Sequence, residues 1–87
     1  MRNLVCLSHR AEKFLAKLAD GALYRRLRAA IDALEEEARP AGCVKLAGLP
    51  DLYRIRVGDY RIIYQVKDTD MVVLVLSIGH RREVYRR

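Results

Sequence analysis

Arg54, Arg56 and Arg61 flank a Gly58-Asp59 dipeptide, and the last eight residues, HRREVYRR, set His80, Arg81, Arg82, Tyr85, Arg86 and Arg87 around one acid, Glu83. These residue types suit a phosphodiester. Guanidinium presents a planar fork of donors that matches phosphate oxygens. A tyrosine can stack on a nucleobase or exchange a proton, and an imidazole titrates near neutrality. Metal chemistry has no comparable support in the sequence. The chain offers no carboxylate cluster, and Cys6 and Cys43 lie far apart, neither in a CxxC pair nor at ligand spacing from a histidine. Two cysteines do not make a disulfide framework, so they read as small apolar thiols in a reducing cytosol. His9, at the start of the first helical segment, reads as structural or solvated.

For the arginines to act together they must share a surface, and the strand pattern supplies one. Leu52 to Val57 (LYRIRV) and Tyr60 to Val66 (YRIIYQV) are strand-like runs on either side of a two-residue turn signal, Gly58-Asp59. A tight hairpin there pairs Val57 with Tyr60, Arg56 with Arg61, Ile55 with Ile62, Arg54 with Ile63 and Tyr53 with Tyr64. Facing residues share a side of the sheet. One side then carries Tyr53, Ile55, Val57, Tyr60, Ile62 and Tyr64, a core for helices to cover. The other carries Arg54, Arg56 and Arg61. Like charges directly opposed destabilise a sheet, and a bound anion would remove that conflict. A solvated basic face with splayed side chains is the plainer alternative. The assignment depends on the turn, because a slip of one residue sends Arg61 to the other side.

The remaining elements follow from periodicity. Asn3 to Leu7 is a short apolar run that reads as a strand, and Ser8 can cap a helix. Ala11, Phe14, Leu15 and Leu18 fall on one helical face. Asp20-Gly21 breaks that helix, and Leu23, Leu27, Ala30, Ile31, Leu34 and Ala38 mark the inner face of a second, ended by Pro40-Ala-Gly42. The short break implies an antiparallel helical hairpin. After a polar turn at Lys67 to Asp70, Met71 to Ile78 is almost continuously apolar, predicting a central strand buried on both faces and ended by Gly79. The fold class is α+β. A compact antiparallel sheet is built from a strand, a helical hairpin and a three-stranded meander, with the two N-terminal helices on one face. The other face is left for function or a partner. The tail leaves the last strand and can fold back beside the arginines, bringing an imidazole and a phenol.

At 87 residues the chain is expected to form a single domain, 1–87, without linker, repeat or low-complexity segment. Lys and Arg total 17 against 11 Asp and Glu, a net +6. That balance points to an anionic partner, nucleic acid first and a membrane surface second. It says little about place: residues 1–50 carry 9 basic and 6 acidic side chains and residues 51–87 carry 8 and 5, so each half nets +3. No run approaches the roughly 18–20 apolar residues of a membrane span, and the first residues lack the features of a signal peptide. A cytoplasmic protein with no membrane association is expected.

The stretch KLAGLPDLYRIRVGDYRIIYQV (Lys45 to Val66), the apolar strand after it and SIGHRREVYRR (Ser77 to Arg87) resemble the RelE toxins of the RelE/ParE toxin–antitoxin superfamily. The motif is a K-L-x-G-x-P-D lead, a basic strand, G-x-Y-R and a closing G-[KH]-R…E-V-Y. The resemblance runs end to end, since the helical hairpin matches too, and is strongest over the second half. It implies a compact antiparallel sheet with an N-terminal helical pair. It also implies a metal-independent, cofactor-free endoribonuclease that enters the ribosomal A site and cuts mRNA. The partners implied are the ribosome, mRNA and a cognate antitoxin that wraps and neutralises the toxin. The toxin–antitoxin complex would bind operator DNA through the antitoxin.

The same resemblance assigns roles. Arg54 and Arg56 match the basic residues that contact RNA phosphate. Arg61 matches the arginine that stabilises the scissile phosphate, Arg81 a second phosphate-stabilising or acid-like group expected to act mainly through charge, and Tyr85 the proposed general base. Lys45 belongs to the K-L-x-G lead, and Lys45, His80 and Arg82 complete the expected phosphate contacts. In this chemistry the 2′-hydroxyl attacks its own 3′-phosphate and expels the next nucleotide's 5′-oxygen, leaving a 2′,3′-cyclic phosphate and a 5′-hydroxyl. Arg61 and Arg81 would stabilise the charge that develops. Tyrosine, with a pKa near 10, is a poor base at neutrality, and adjacent guanidinium groups favour its phenolate. His80 could protonate the leaving oxygen or serve only as a phosphate or antitoxin contact; the matching family position is often lysine. Ala47 stands where other members carry a basic residue, and two residues follow Tyr85 where some members continue into a helix. The alternatives are a ParE-type toxin that inhibits DNA gyrase, whose members usually lack the full Arg61, Arg81 and Tyr85 set, and a degenerate toxin that only binds its antitoxin.

Overall fold

The structure, a computed structural model, describes residues 2–80. Arg81, Arg82, Tyr85 and the other residues after His80 lie outside the described residues, so the expectation that the tail returns to the arginines does too. In chain order the elements are β1 (Leu4–Leu7), α1 (His9–Lys17), α2 (Gly21–Ala33), β2 (Val44–Leu46), β3 (Leu52–Val57), β4 (Tyr60–Lys67) and β5 (Val72–His80). They form one five-stranded sheet in the order β1-β5-β4-β3-β2. The β2–β3–β4–β5 pairings are antiparallel, and β1 lies parallel to β5. The fold is α+β, with both helices on one face.

The helices begin where the sequence marks them. Ser8 Oγ accepts a hydrogen bond from Ala11 N at 3.1 Å, and Asp20 Oδ1 accepts one from Leu23 N at 3.1 Å. Asp20-Gly21 is thus less a break than the N-cap of α2. The helix ends earlier than expected, at Ala33 rather than near Pro40. Three glutamates follow, Glu35 to Glu37, whose charge opposes the negative end of a helix dipole. The N-terminal segment also captures this end. Arg2 pairs with Glu35 and Glu36, Asn3 N donates to the Glu35 carbonyl, and Asn3 Nδ2 donates to the Leu34 carbonyl. Ala38 is still buried, outside the helix, where its carbonyl accepts from Tyr64 Oη at 2.8 Å. Tyr64 is fully buried, and burial pushes its phenol above the usual tyrosine range.

The main core lies between helices and sheet. Ala11, Leu15, Leu27, Ile31 and Leu34 pack on Tyr53, Ile55, Ile62, Tyr64, Val66, Val73, Val75 and Ile78. The β3–β4 register is the one read from the Gly58-Asp59 turn, pair by pair from Tyr53–Tyr64 to Val57–Tyr60. Gly58 takes φ 59° and Asp59 stays outside the left-handed region, the II′ pattern that suits a right-twisted hairpin. Two features were not legible. The edge strand β2 has only three residues. The strand read as central, β5, is interior, but β4 holds the middle. β5 looks apolar throughout because it carries a bulge: Ile63 pairs with Ser77 and Tyr64 with Val75, leaving Leu76 as the extra residue. Before it, Val73 and Val75 face the helices; after it, Ile78 does.

Ser8 holds this irregularity in place. Its backbone N–H donates to the Val75 carbonyl at 2.8 Å, and its hydroxyl donates to the Leu76 carbonyl at 2.7 Å while capping α1. Replacing Ser8 with alanine should cost about 1–2 kcal/mol in urea unfolding, and threonine should retain most of the stability.

Candidate nucleic-acid interface

The face away from the helices, here the open face, is divided lengthwise. At one end Leu52 and Ile63 form a small cluster with Leu46 and Leu76. At the other lie Arg54, Arg56 and Arg61. Arg56 stands directly opposite Arg61, which faces Gly79 of β5 on its other side. Arg54 faces Ile63, and Ile63 faces Ser77. Gly79 has no side chain to cover Arg61. None of the five strands contains an Asp or Glu.

The contrast with the other arginines is sharp. Arg2, Arg28 and Arg39 each pair with a carboxylate: Glu35 and Glu36, Asp32, and Asp68. Arg39 grips Asp68 through both terminal nitrogens, at 3.1 and 2.8 Å, and its Nε donates to Tyr53 Oη at 2.8 Å. That contact holds the Asp68 carboxyl below its usual range and raises the guanidinium further. Arg56 only donates to the Gly58 carbonyl, at 3.3 Å. Arg54 Nε and Arg61 Nε and Nη1 are buried without a hydrogen-bond partner. Buried donors of this kind are costly, and charged ones more so. Among the described residues, three cations therefore share a sheet face whose strands carry no acid, and two of them hold unsatisfied inner donors.

Not every residue expected at the site is on this face. Lys45 pairs with Tyr53 and Tyr60 pairs with His80, so Lys45 and His80 share the helix side. The His80 ring meets the Tyr60 ring edge-on at 5.6 Å, and Tyr60 in turn meets Phe14 at 6.1 Å. Ser77, which the sequence reading passed over, is on the open face and 6% exposed, with a hydroxyl that has no partner. Its side could not be read from alternation, because the bulge at Leu76 resets the parity of the strand. Among the described residues, no three His, Cys, Asp or Glu side chains lie together as metal ligands. No described helix is long and apolar enough to cross a membrane.

Comparison with known proteins agrees with this architecture. Residues 5–85 match the family described as the ParE toxin of the type II toxin–antitoxin system parDE. A 45-residue stretch is 49% identical to the mRNA interferase toxin RelE of Escherichia coli, a match that covers about half of each chain (47%). The toxin RelG of Mycobacterium tuberculosis is 30% identical over 77 residues, 88% of both chains. The archaeal RelE–RelB complex from Pyrococcus horikoshii contains a chain that superposes with a TM-score of 0.82 at 38% identity, over 95% of this chain and 99% of that one. The chain belongs to the RelE/ParE superfamily of type II toxin–antitoxin toxins, and within it is a RelE toxin.

Proposed function

We propose that this toxin is a ribosome-dependent mRNA endoribonuclease that cuts in the ribosomal A site and so arrests translation and growth. The observation that carries the reading is the open face, whose strands hold no acid and on which Arg54 and Arg61 hold buried donors with no acceptor among the described residues. An RNA phosphate supplies that acceptor. Arg54 and Arg56 hold the backbone, and Arg61, set against Gly79, meets the scissile group. As the 2′-hydroxyl attacks, charge grows on the phosphorane-like transition state, and Arg61 with Arg81 stabilises it. Tyr85, as a phenolate favoured by guanidinium groups, takes the 2′-hydroxyl proton. The phosphorus bond to the 2′-oxygen forms as the bond to the next nucleotide's 5′-oxygen breaks, and that oxygen takes a proton from water and leaves as a 5′-hydroxyl. Arg82 adds a phosphate contact. The nucleophile belongs to the substrate and the charge is met by arginine, so the reaction needs no metal. Lys45 and His80 are directed to the other side of the sheet, and the phosphate site is built without them.

The partners follow from this reading. The toxin works in the cytoplasm on the ribosome and its mRNA. A cognate antitoxin neutralises it, as the RelE–RelB complex of Pyrococcus horikoshii suggests, and links the complex to operator DNA. The family match through the ParE description favours a second reading, inhibition of DNA gyrase.

The two are separated by inducing the toxin and mapping mRNA 5′ ends with and without translation. Cuts on translated messages alone are the expected result; intact mRNA with stalled gyrase would overturn it. Arg61→Ala and Tyr85→Phe should each relieve growth arrest in a folded protein. Ribosome affinity should fall steeply with salt, because several phosphates are neutralised.

Arg61 also separates function from stability. Arg61→Met removes a cation from opposite Arg56 and two unpartnered buried donors, so it should raise unfolding stability by about 1 kcal/mol while abolishing toxicity. A loss of stability in urea titration would show that the arginine serves the fold.

A further inference from the structure

Four buried side-chain atoms lack a hydrogen-bond partner among the described residues: Arg54 Nε, Arg61 Nε and Nη1, and Ser77 Oγ. All belong to the open face. Ser77 faces Ile63, which faces Arg54 on its other side. It is two residues from Gly79, the neighbour of Arg61, and is therefore a diagonal neighbour of Arg61, roughly 7–8 Å away along the backbone. Arg54 lies two strand spacings off, about 10 Å. A phosphate seated over Ile63 sits between the three side chains.

A buried serine usually satisfies its hydroxyl on the nearest backbone. Ser8 does so on the Leu76 carbonyl, at 2.7 Å. Ser77 does not, although it is 94% buried (6% exposed) and alanine would fill the position without an orphaned polar atom. Its strand partner, Ile63, offers no acceptor, and no strand carries a carboxylate.

We propose that Ser77 is a phosphate-binding residue of the arginine face, its hydroxyl donating to the same RNA phosphate that Arg54 and Arg61 hold. The proposal rests on reading this face as the RNA site. A neutral donor has a specific value here: it adds a hydrogen bond without adding charge to the Arg56–Arg61 repulsion. The bulge at Leu76 is what makes it available, since it turns Ser77 and Gly79 toward the arginines. The four atoms are buried, and Arg56 on the same face is exposed, so it meets the phosphate first.

The test uses the full chain and an uncleavable RNA hexamer with 2′-O-methyl groups, followed through the arginine side-chain Nε–H signals by NMR. The Arg54 and Arg61 signals should shift and saturate as RNA is added. Ser77→Ala should weaken binding about 10- to 100-fold with stability unchanged or higher, and Ser77→Thr should restore most of it. Ser77→Ala binding at wild-type affinity, or wild-type Arg54 and Arg61 signals that never move, would overturn the proposal. RNA binding that depends on Ser77 in a toxin that never cuts translated mRNA would keep the phosphate site and remove the nuclease. Cleavage that is lost in Arg61→Ala but intact in Ser77→Ala would remove Ser77 alone.

Discussion

The extra residue at Leu76 fixes which side of the sheet each end of β5 presents, and most of the molecule depends on that choice. Strand residues alternate with period two, so one inserted residue exchanges the two faces beyond it. Val73 and Val75 close the helix-side core before the bulge, and Ile78 continues it afterwards. Leu76 is displaced to the open face, where it packs with Leu46, Leu52 and Ile63. Ser8 stabilises the arrangement from both sides, bonding the carbonyls of Val75 and Leu76 while capping α1. The start of the first helix and the middle of the last strand are therefore one structural unit, 68 residues apart in the chain.

The chain uses arginine in two ways. Arg2, Arg28 and Arg39 are matched to carboxylates, and Arg39 ties the segment after α2 to the β4–β5 turn through Asp68. Exposed pairs of this kind contribute little individually. On the open face the acids are withheld. Arg56 opposes Arg61, and inner donors of Arg54 and Arg61 are buried unsatisfied, which costs the folded state. An anion on this face would offset that cost, which is the physical basis of the proposed RNA site. In the proposed reaction the same charges would be in place before negative charge develops on the transition state.

Much of this was legible in the sequence because it is local. The Gly58-Asp59 turn sets the β3–β4 register, and that register alone puts Arg54, Arg56 and Arg61 on one side. Ser8 announces its helix, since capping needs only a side-chain oxygen three residues before an amide, whereas Asp20, read as a break, proves to be the cap of α2. The matched motifs of the second half fall on the same arginines. The end of α2 was less clear, because its inner-face pattern continues to Ala38, a residue buried by Tyr64 rather than by helix.

The sequence by itself therefore determined the α+β class, the helical pair, the hairpin and the arginine face, all consequences of side-chain period and turn chemistry within a few residues. Only the tertiary structure decided the parallel pairing of β1 with β5, the edge strand β2, and the bulge. Each depends on contacts between segments distant in the chain, which no local pattern encodes. Lys45 and His80 show the difference most directly. The family resemblance groups them with the arginines, but their strand partners, Tyr53 and Tyr60, put them on the helix side of the sheet. Ser77 shows the reverse: it is unremarked in the sequence, and a single inserted residue turns it toward the arginines.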